Sequence, residues 1–197
     1  ADALAVRQGK IVRLGLGDDI DGLIGPQTEV IDLEGGLVLP GFRDAHIHPI
    51  LGGMNLVECN LTGLADLDAC LAQISVYREA NRDQGFIRGG GWLPDAMPNR
   101  RQLDAVVPDR PVFLKSLDGH SAWVNTKALE ISGVTRSRKD PPGGIIERDP
   151  ITGEPTGILK EWSAMEIVEA CLPPPTSQDR VMAGWAFLQR ASKMGVV

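Results

Sequence analysis

His46 and His48 are two of only three histidines in the chain, and they stand two residues apart at the end of an apolar run that starts at Leu37. Side chains at i and i+2 of a strand point to the same face. If residues 37–48 are extended, the two imidazoles converge on one point, as two ligands of one metal ion must. Neutral imidazole is a favoured ligand for zinc, iron, nickel and copper. The competing explanation is a chance His-x-His on a polar edge strand. Two neighbours weigh against it: Pro49 stops the strand just past the second histidine, and Asp44 lies one further step along the same face.

The elements that must position this pair fall into two groups. Residues 4–6 and 10–14 read as strands around the turn Arg7-Gln8-Gly9, and residues 30–33 and 37–39 as strands around Glu34-Gly35-Gly36. So short a β module cannot bury a core alone, so residues 1–38 are expected to be part of a composite β-sandwich. After His48 the pattern alternates. Leu67, Leu71, Ile74 and Tyr77 recur at helical spacing within 65–81. A strand at 86–92 runs into glycines, 100–106 suits a helical turn, and a strand at 111–116 ends in Leu117-Asp118-Gly119-His120. A short helix over 125–132 follows, with Asn125 as a possible N-cap. Strand-like runs at 143–148 and 155–159 flank a turn. Pro173-Pro174-Pro175 is a rigid link, and 179–194 is a long helix with Val181, Trp185, Leu188 and Ala191 as its inward stripe. Alternating strands and helices predict parallel βαβ units. The special residues His48, Trp92, His120 and Glu161 all fall at strand C-terminal ends, where a (β/α)8 TIM barrel keeps its active site. Residues 39–197 are therefore expected to supply about the first half of such a barrel, an α/β fold.

Bulk composition narrows the function classes. Of the 197 residues 43% are hydrophobic and 23% charged, as in ordinary globular proteins. The net charge of −6 comes without a basic cluster, which argues against nucleic acid and anionic membrane as partners. No run reaches the ~18 apolar residues of a membrane span, and the opening residues lack the basic start and long apolar core that a signal peptide would show. Three widely spaced cysteines, Cys59, Cys70 and Cys171, form neither a disulfide framework nor a zinc ribbon, so a reducing cytoplasm is the expected compartment. The sequence starts without methionine just before a strand and stops at what reads as the start of another. A segment of a longer polypeptide is expected.

Several motifs together resemble one family. Val38-Leu39-Pro40-Gly41-Phe42-x-Asp44-Ala45-His46-x-His48 is similar to the first barrel strand of the amidohydrolase superfamily. Gly91-Trp92, Leu103-Asp104-x-Val106-x-Pro108-Asp109-Arg110-Pro111-Val112, Asp118-Gly119-His120-Ser121-Ala122-Trp123-Val124-Asn125, Gly143-Gly144-x-Ile146 and Gly153-Glu154-Pro155-Thr156-Gly157-Ile158-Leu159-x-Glu161 follow in order. They resemble the branch that includes N-substituted formamide deformylase.

The resemblance implies a metal-dependent hydrolase acting on a non-peptide C–N bond of a small amide or formamide, with one or two divalent ions, zinc above all. His46 and His48 match the family's metal-binding pair. A bridging group from a middle strand is also implied, and Glu161 is the favoured residue, with Lys115, if carboxylated, as the alternative and Lys160 as a weaker one. The family's two later histidines and late aspartate have no counterpart here, since no histidine follows His120. The chain alone is then expected to be inactive and to need a C-terminal region; homo-oligomerisation is left open. His120 suits a substrate contact or proton shuttle. Trp92 and Trp123 are candidates for pocket walls, and Asp44 for orienting a ligand histidine or bonding a neighbouring backbone group. Gly89-Gly90-Gly91 lacks the Lys-Ser/Thr ending of a phosphate loop. Two competing readings are a phosphoesterase whose barrel also starts with His-x-His and a catalytically incompetent fragment.

Overall fold

The computed structural model describes residues 1–197, the side chain of Ala96 excepted, and divides into two units, Ala1–Pro40 and Gly41–Val197. In the first, β1 (Ala3–Arg7) and β2 (Lys10–Gly15) form an antiparallel hairpin. Gln8 and Gly9 both take positive φ, 50° and 74°, the turn geometry that matches the twist of paired strands. A short helix, α1 (Gly17–Ile20), follows. The second expected hairpin forms only its turn, with Glu34 at φ 49° and Gly35 at φ 83°. Residues 30–33 and 37–39 are not strands, and Val30, Ile31, Leu37 and Val38 are exposed. A two-stranded hairpin by itself is marginally stable in water.

The second unit is a mixed α/β structure. Its elements are α2 (Pro49–Val57), β3 (Cys59–Asn60), α3 (Leu67–Ala80), β4 (Ile87–Trp92), α4 (Arg100–Val106), β5 (Val112–Ser116), β6 (Ser121–Val124), α5 (Thr126–Ile131), β7 (Ile145–Arg148), β8 (Pro155–Lys160), α6 (Trp162–Glu169) and α7 (Ser177–Lys193). One six-stranded sheet runs β3-β4-β5-β6-β8-β7. The first three strands are parallel; β6, β8 and β7 continue antiparallel. Alternation alone predicts parallel units throughout, and this second half departs from it. Only the short loop at 117–120 separates β5 from β6, and a parallel return needs a crossover of a dozen or more residues. Among the described residues no helix is long and apolar enough to cross a membrane.

Local chemistry explains the helices. Asp66 caps α3 by accepting from Ala69 N at 2.8 Å. Asn99 and Gln102 form a reciprocal capping box on α4. Along β5 the side chains alternate. Val112 and Leu114 join a core with Ile74, Leu103 and Trp123, while Phe113 joins another with Leu129, Leu159 and Met165. The glycine run in β4 serves packing, because a Cβ on Gly89 would stand 2.1 Å from the carbonyl oxygen of Cys59.

Three residues of the motifs quoted above are structural ties. Arg110 donates from its guanidinium to the carbonyls of Arg78, Asn81, Arg82 and Gln84, closing the end of α3. Asp104 accepts from Thr126 N and Oγ1 at 2.8 and 2.6 Å. Asn125 caps α5 and also fastens the segment entering β5.

The face of α7 differs from expectation. Val181, Trp185 and Leu188 are more than half exposed, and the buried residue is Ala183. Small residues explain the choice. Gly53 of α2 lies so close that a Cβ would meet Ala183 O at 2.0 Å, so the helices meet through backbone rather than through the larger side chains.

Candidate functional site

The strand expected over 37–48 does not form. Phe42 makes a single parallel bridge to Val196, with Phe42 N donating to Gly195 O at 2.7 Å and Val197 N to Phe42 O at 2.9 Å. The histidines are brought together by a turn instead. Asp44 Oδ1 accepts from His46 N at 3.0 Å, and His48 occupies the N-cap of α2, with Pro49 opening the helix. Of the two roles expected for Asp44, this is the bond to a neighbouring backbone group.

The Nε2 atoms of His46 and His48 stand 3.3 Å apart, with ring centroids 5.2 Å apart and planes at 64°. Two nitrogen ligands at about 2.0–2.1 Å on a tetrahedral zinc ion are separated by about 3.3–3.4 Å. The spacing of these nitrogens thus fits two adjacent positions on one ion, and both rings are exposed. Among the described residues no group of three or more His, Cys, Asp or Glu side chains gathers as a metal cage.

Glu161 is accordingly not brought to the histidine pair. Its Oε2 lies 3.2 Å from His120 Nδ1, and its backbone N–H donates to His120 O at 2.8 Å. Topology makes the contact: His120 immediately precedes β6, Glu161 immediately follows β8, and Ser121 pairs with Lys160. The carboxylate's hydrogen bond, followed by its charge, raises the His120 pKa above the ordinary histidine value. Glu161 has φ 65° and ψ 160°, a region almost reserved for glycine that costs other residues of order 1–3 kcal/mol. The loop before His120 is pinned as well. Asp118 Oδ1 accepts from Ser116 Oγ at 2.6 Å and from His120 N at 3.1 Å, and these bonds hold the Asp118 carboxyl below its ordinary pKa.

Lys115 Nζ pairs with Glu169 Oε1 at 3.0 Å and lies over the rings of Phe113 and Trp162 at 5.7 and 5.3 Å. Lys160 pairs with Glu147 at 2.7 Å. Trp92 and Trp123 are core residues rather than pocket walls. They are buried and meet edge to face at 6.3 Å. Their indole N–H groups donate to Leu114 O at 2.8 Å and Asn99 O at 2.9 Å, the satisfaction that buried indoles require.

One group was not singled out from sequence. Glu58, between α2 and β3, has its pKa pushed up to about 7 by burial, against the opposing charges of Arg88 and Lys115. The signal was there: an acidic residue between Val57 and a buried Cys59, where a strand enters the sheet. The Cys59 thiol is likewise pushed up to about 12 by burial, which leaves it unreactive.

Comparison with known proteins places these features in context. The profile of the amidohydrolase family matches residues 29–197. The protein LONG AFTER FAR-RED 3 of Arabidopsis thaliana is 36% identical over 197 residues, covering 98% of this chain and 33% of that protein. An N-substituted formamide deformylase of Arthrobacter pascens is 34% identical over 171 residues, covering 83% of this chain and 31% of that protein. An uncharacterized metal-dependent hydrolase from Pyrococcus horikoshii OT3 superposes with a TM-score of 0.54 at 27% identity, covering 98% of this chain and 37% of that one. The chain thus spans about a third of the length of the relatives it matches.

Proposed function

Because the chain belongs to the amidohydrolase family, we propose that it forms the metal-binding beginning of a hydrolase that cleaves a non-peptide C–N bond in a small amide. The observation that carries this reading is the 3.3 Å separation of His46 Nε2 and His48 Nε2, which suits a shared divalent ion. Zinc is the ion proposed. Two neutral imidazoles are suitable donors for it, and the remaining positions are left to residues outside this chain and to water. When bound, such an ion polarises a carbonyl and acidifies water.

The chain's own residues have distinct tasks. His46 and His48 hold the cation, and Asp44 fixes the His46 backbone. The parallel strands β3, β4 and β5 are proposed as part of a TIM barrel, with the site at their C-terminal ends. Topology supports this. The α2 helix leads directly into the N-terminal end of β3, so its own start, beside the histidines, is a helix length of about 13 Å away.

The name of the formamide deformylase supports an N-substituted formamide as the first substrate class to test. The test is turnover by the full natural polypeptide, after loading with zinc, on N-alkylformamides and on phosphomonoesters. Formamide cleavage that is lost on chelation supports the reading; phosphoester cleavage alone contradicts it.

A further inference from the structure

Both flanks of the His46–His48 pair are fastened to the same element. Ahead of the pair, Phe42 N donates to Gly195 O at 2.7 Å, and Val197 N donates to Phe42 O at 2.9 Å. These partners directly follow Met194, the C-cap of α7. Behind the pair, His48 is the N-cap of α2, and the first turns of α2 lie on α7. A Cβ on Gly184 would stand 3.4 Å from Ile50 Cδ1, and one on Gly52 3.3 Å from Phe187 Cδ2. Gly53 rests on the Ala183 carbonyl. The span from Phe42 to His48 is thus a bridge with both ends on α7, closed in the middle by the Asp44–His46 turn. The way α7 ends makes the first anchor. Gly195 takes φ 78°, while Gly195 N donates to Ser192 O and Val196 N to Ala191 O, each at 3.0 Å, a left-handed helix stop. A continuing helix would direct the Gly195 carbonyl and the Val197 N–H along its own axis. The stop turns both toward Phe42.

We infer that α7 and its stop residue position the metal-binding pair, with Gly195 and Phe187 as the positioning residues. This rests on the reading of His46 and His48 as ligands of one zinc ion. Gly195 holds the chain ahead of the pair through Phe42, and Phe187 holds α2 behind it through Gly52. Together they set the separation of the two Nε2 atoms before any ion arrives. Ligands held at their binding distance lose little freedom when the ion is bound, so the two anchors raise affinity without touching the metal. Coupling of this kind is reciprocal: zinc must tighten the bonds between Phe42 and the end of α7 by as much as those bonds tighten zinc.

Zinc affinity of the full natural polypeptide tests this, read by competition with a chromophoric chelator at a temperature where every variant is folded. A Cβ at position 195 would meet Phe42 Cδ2 at 3.5 Å, an ordinary contact, so alanine and asparagine there differ mainly in tolerance of a positive φ, which asparagine accepts and alanine resists. Gly195→Ala should weaken zinc binding about tenfold or more, the low end of what residues supporting metal ligands contribute. Gly195→Asn should recover most of that loss. Phe187→Ala should weaken zinc binding in the same way, and Phe187→Leu less. Asn125→Ala, whose bonds serve β5 and α5, should lower Tm yet leave zinc affinity within about twofold, as expected of an independent site. In the wild type, zinc should slow hydrogen exchange of the Phe42 and Val197 amides. A lowered Tm with zinc affinity unchanged in both Gly195→Ala and Phe187→Ala would overturn the inference, as would an equal weakening in Asn125→Ala. Those results leave the metal site standing, whereas a wild type that binds no zinc refutes the metal reading and this inference together.

Discussion

The Oδ1 atom of Asn125 accepts the backbone N–H of Val112 at 3.0 Å, and so joins the first turn of α5 to the first residue of β5. The same atom caps the helix through Ala128 N at 3.0 Å. The amide nitrogen donates to Val107 O at 3.0 Å and Arg110 O at 2.8 Å. Four backbone groups thus depend on one side chain that is completely buried.

Truncating it should be costly. Asn125→Ala leaves buried donors and acceptors without partners, each worth about 1–3 kcal/mol. We expect a loss of about 2–4 kcal/mol, read by urea denaturation of the full natural polypeptide. Asn125→Asp should recover only the two bonds made by Oδ1. A loss under about 1 kcal/mol in Asn125→Ala would show that water replaces these ties.

The contact between α2 and α7 makes a second prediction. At Gly53 a Cβ would stand 2.0 Å from Ala183 O and 2.4 Å from its carbonyl carbon. Both are backbone atoms and cannot swing aside. Gly53→Ala should therefore separate the helices and destabilise by about 1–3 kcal/mol, as overpacked cores do, despite the helical propensity of alanine. An unchanged Tm would mean that the helices slide apart freely. Trp185→Ala on the exposed side of α7 should cost much less in the same measurement.

A third concerns pH. Burial raises the Glu58 pKa from 4.5 to about 7. For a raised folded-state value, the folded protein binds the proton more tightly than the unfolded chain does. The associated stability is complete below the unfolded pKa, declines as pH rises from about 4.5, and is lost once pH passes about 7. The swing is on the order of 1–3 kcal/mol. Glu58→Gln cannot ionise, so its Tm should fall less than that of the wild type between pH 5 and about pH 8. Parallel pH profiles for the two proteins would remove Glu58 as the source.

Much of the fold was legible because its signals are local. Asp66, the spacing of Leu67, Leu71 and Ile74, and the Asn99–Gln102 pair specify α3 and α4 within single helical turns. Partner choice was less legible. The exposed stripe of α7 reads as inward by periodicity alone, and only the distant Gly53 reveals that Ala183 is the contact. The strand expected at 37–48 is represented by one isolated bridge, from Phe42 to the distant Val196. His46 and His48 still converge, through the Asp44 turn rather than the pleat that their spacing suggests. The pairing of His120 with Glu161, 41 residues apart, depends on the register of β6 against β8, which neither segment encodes alone.

The most direct test of the central claim is the metal content of the full natural polypeptide, purified after zinc loading, beside a His46→Ala/His48→Ala variant of equal Tm. The account predicts stoichiometric zinc and formamide turnover in the wild type, with both lost in the variant. Zinc retained in full by a folded variant that still turns over substrate would contradict it.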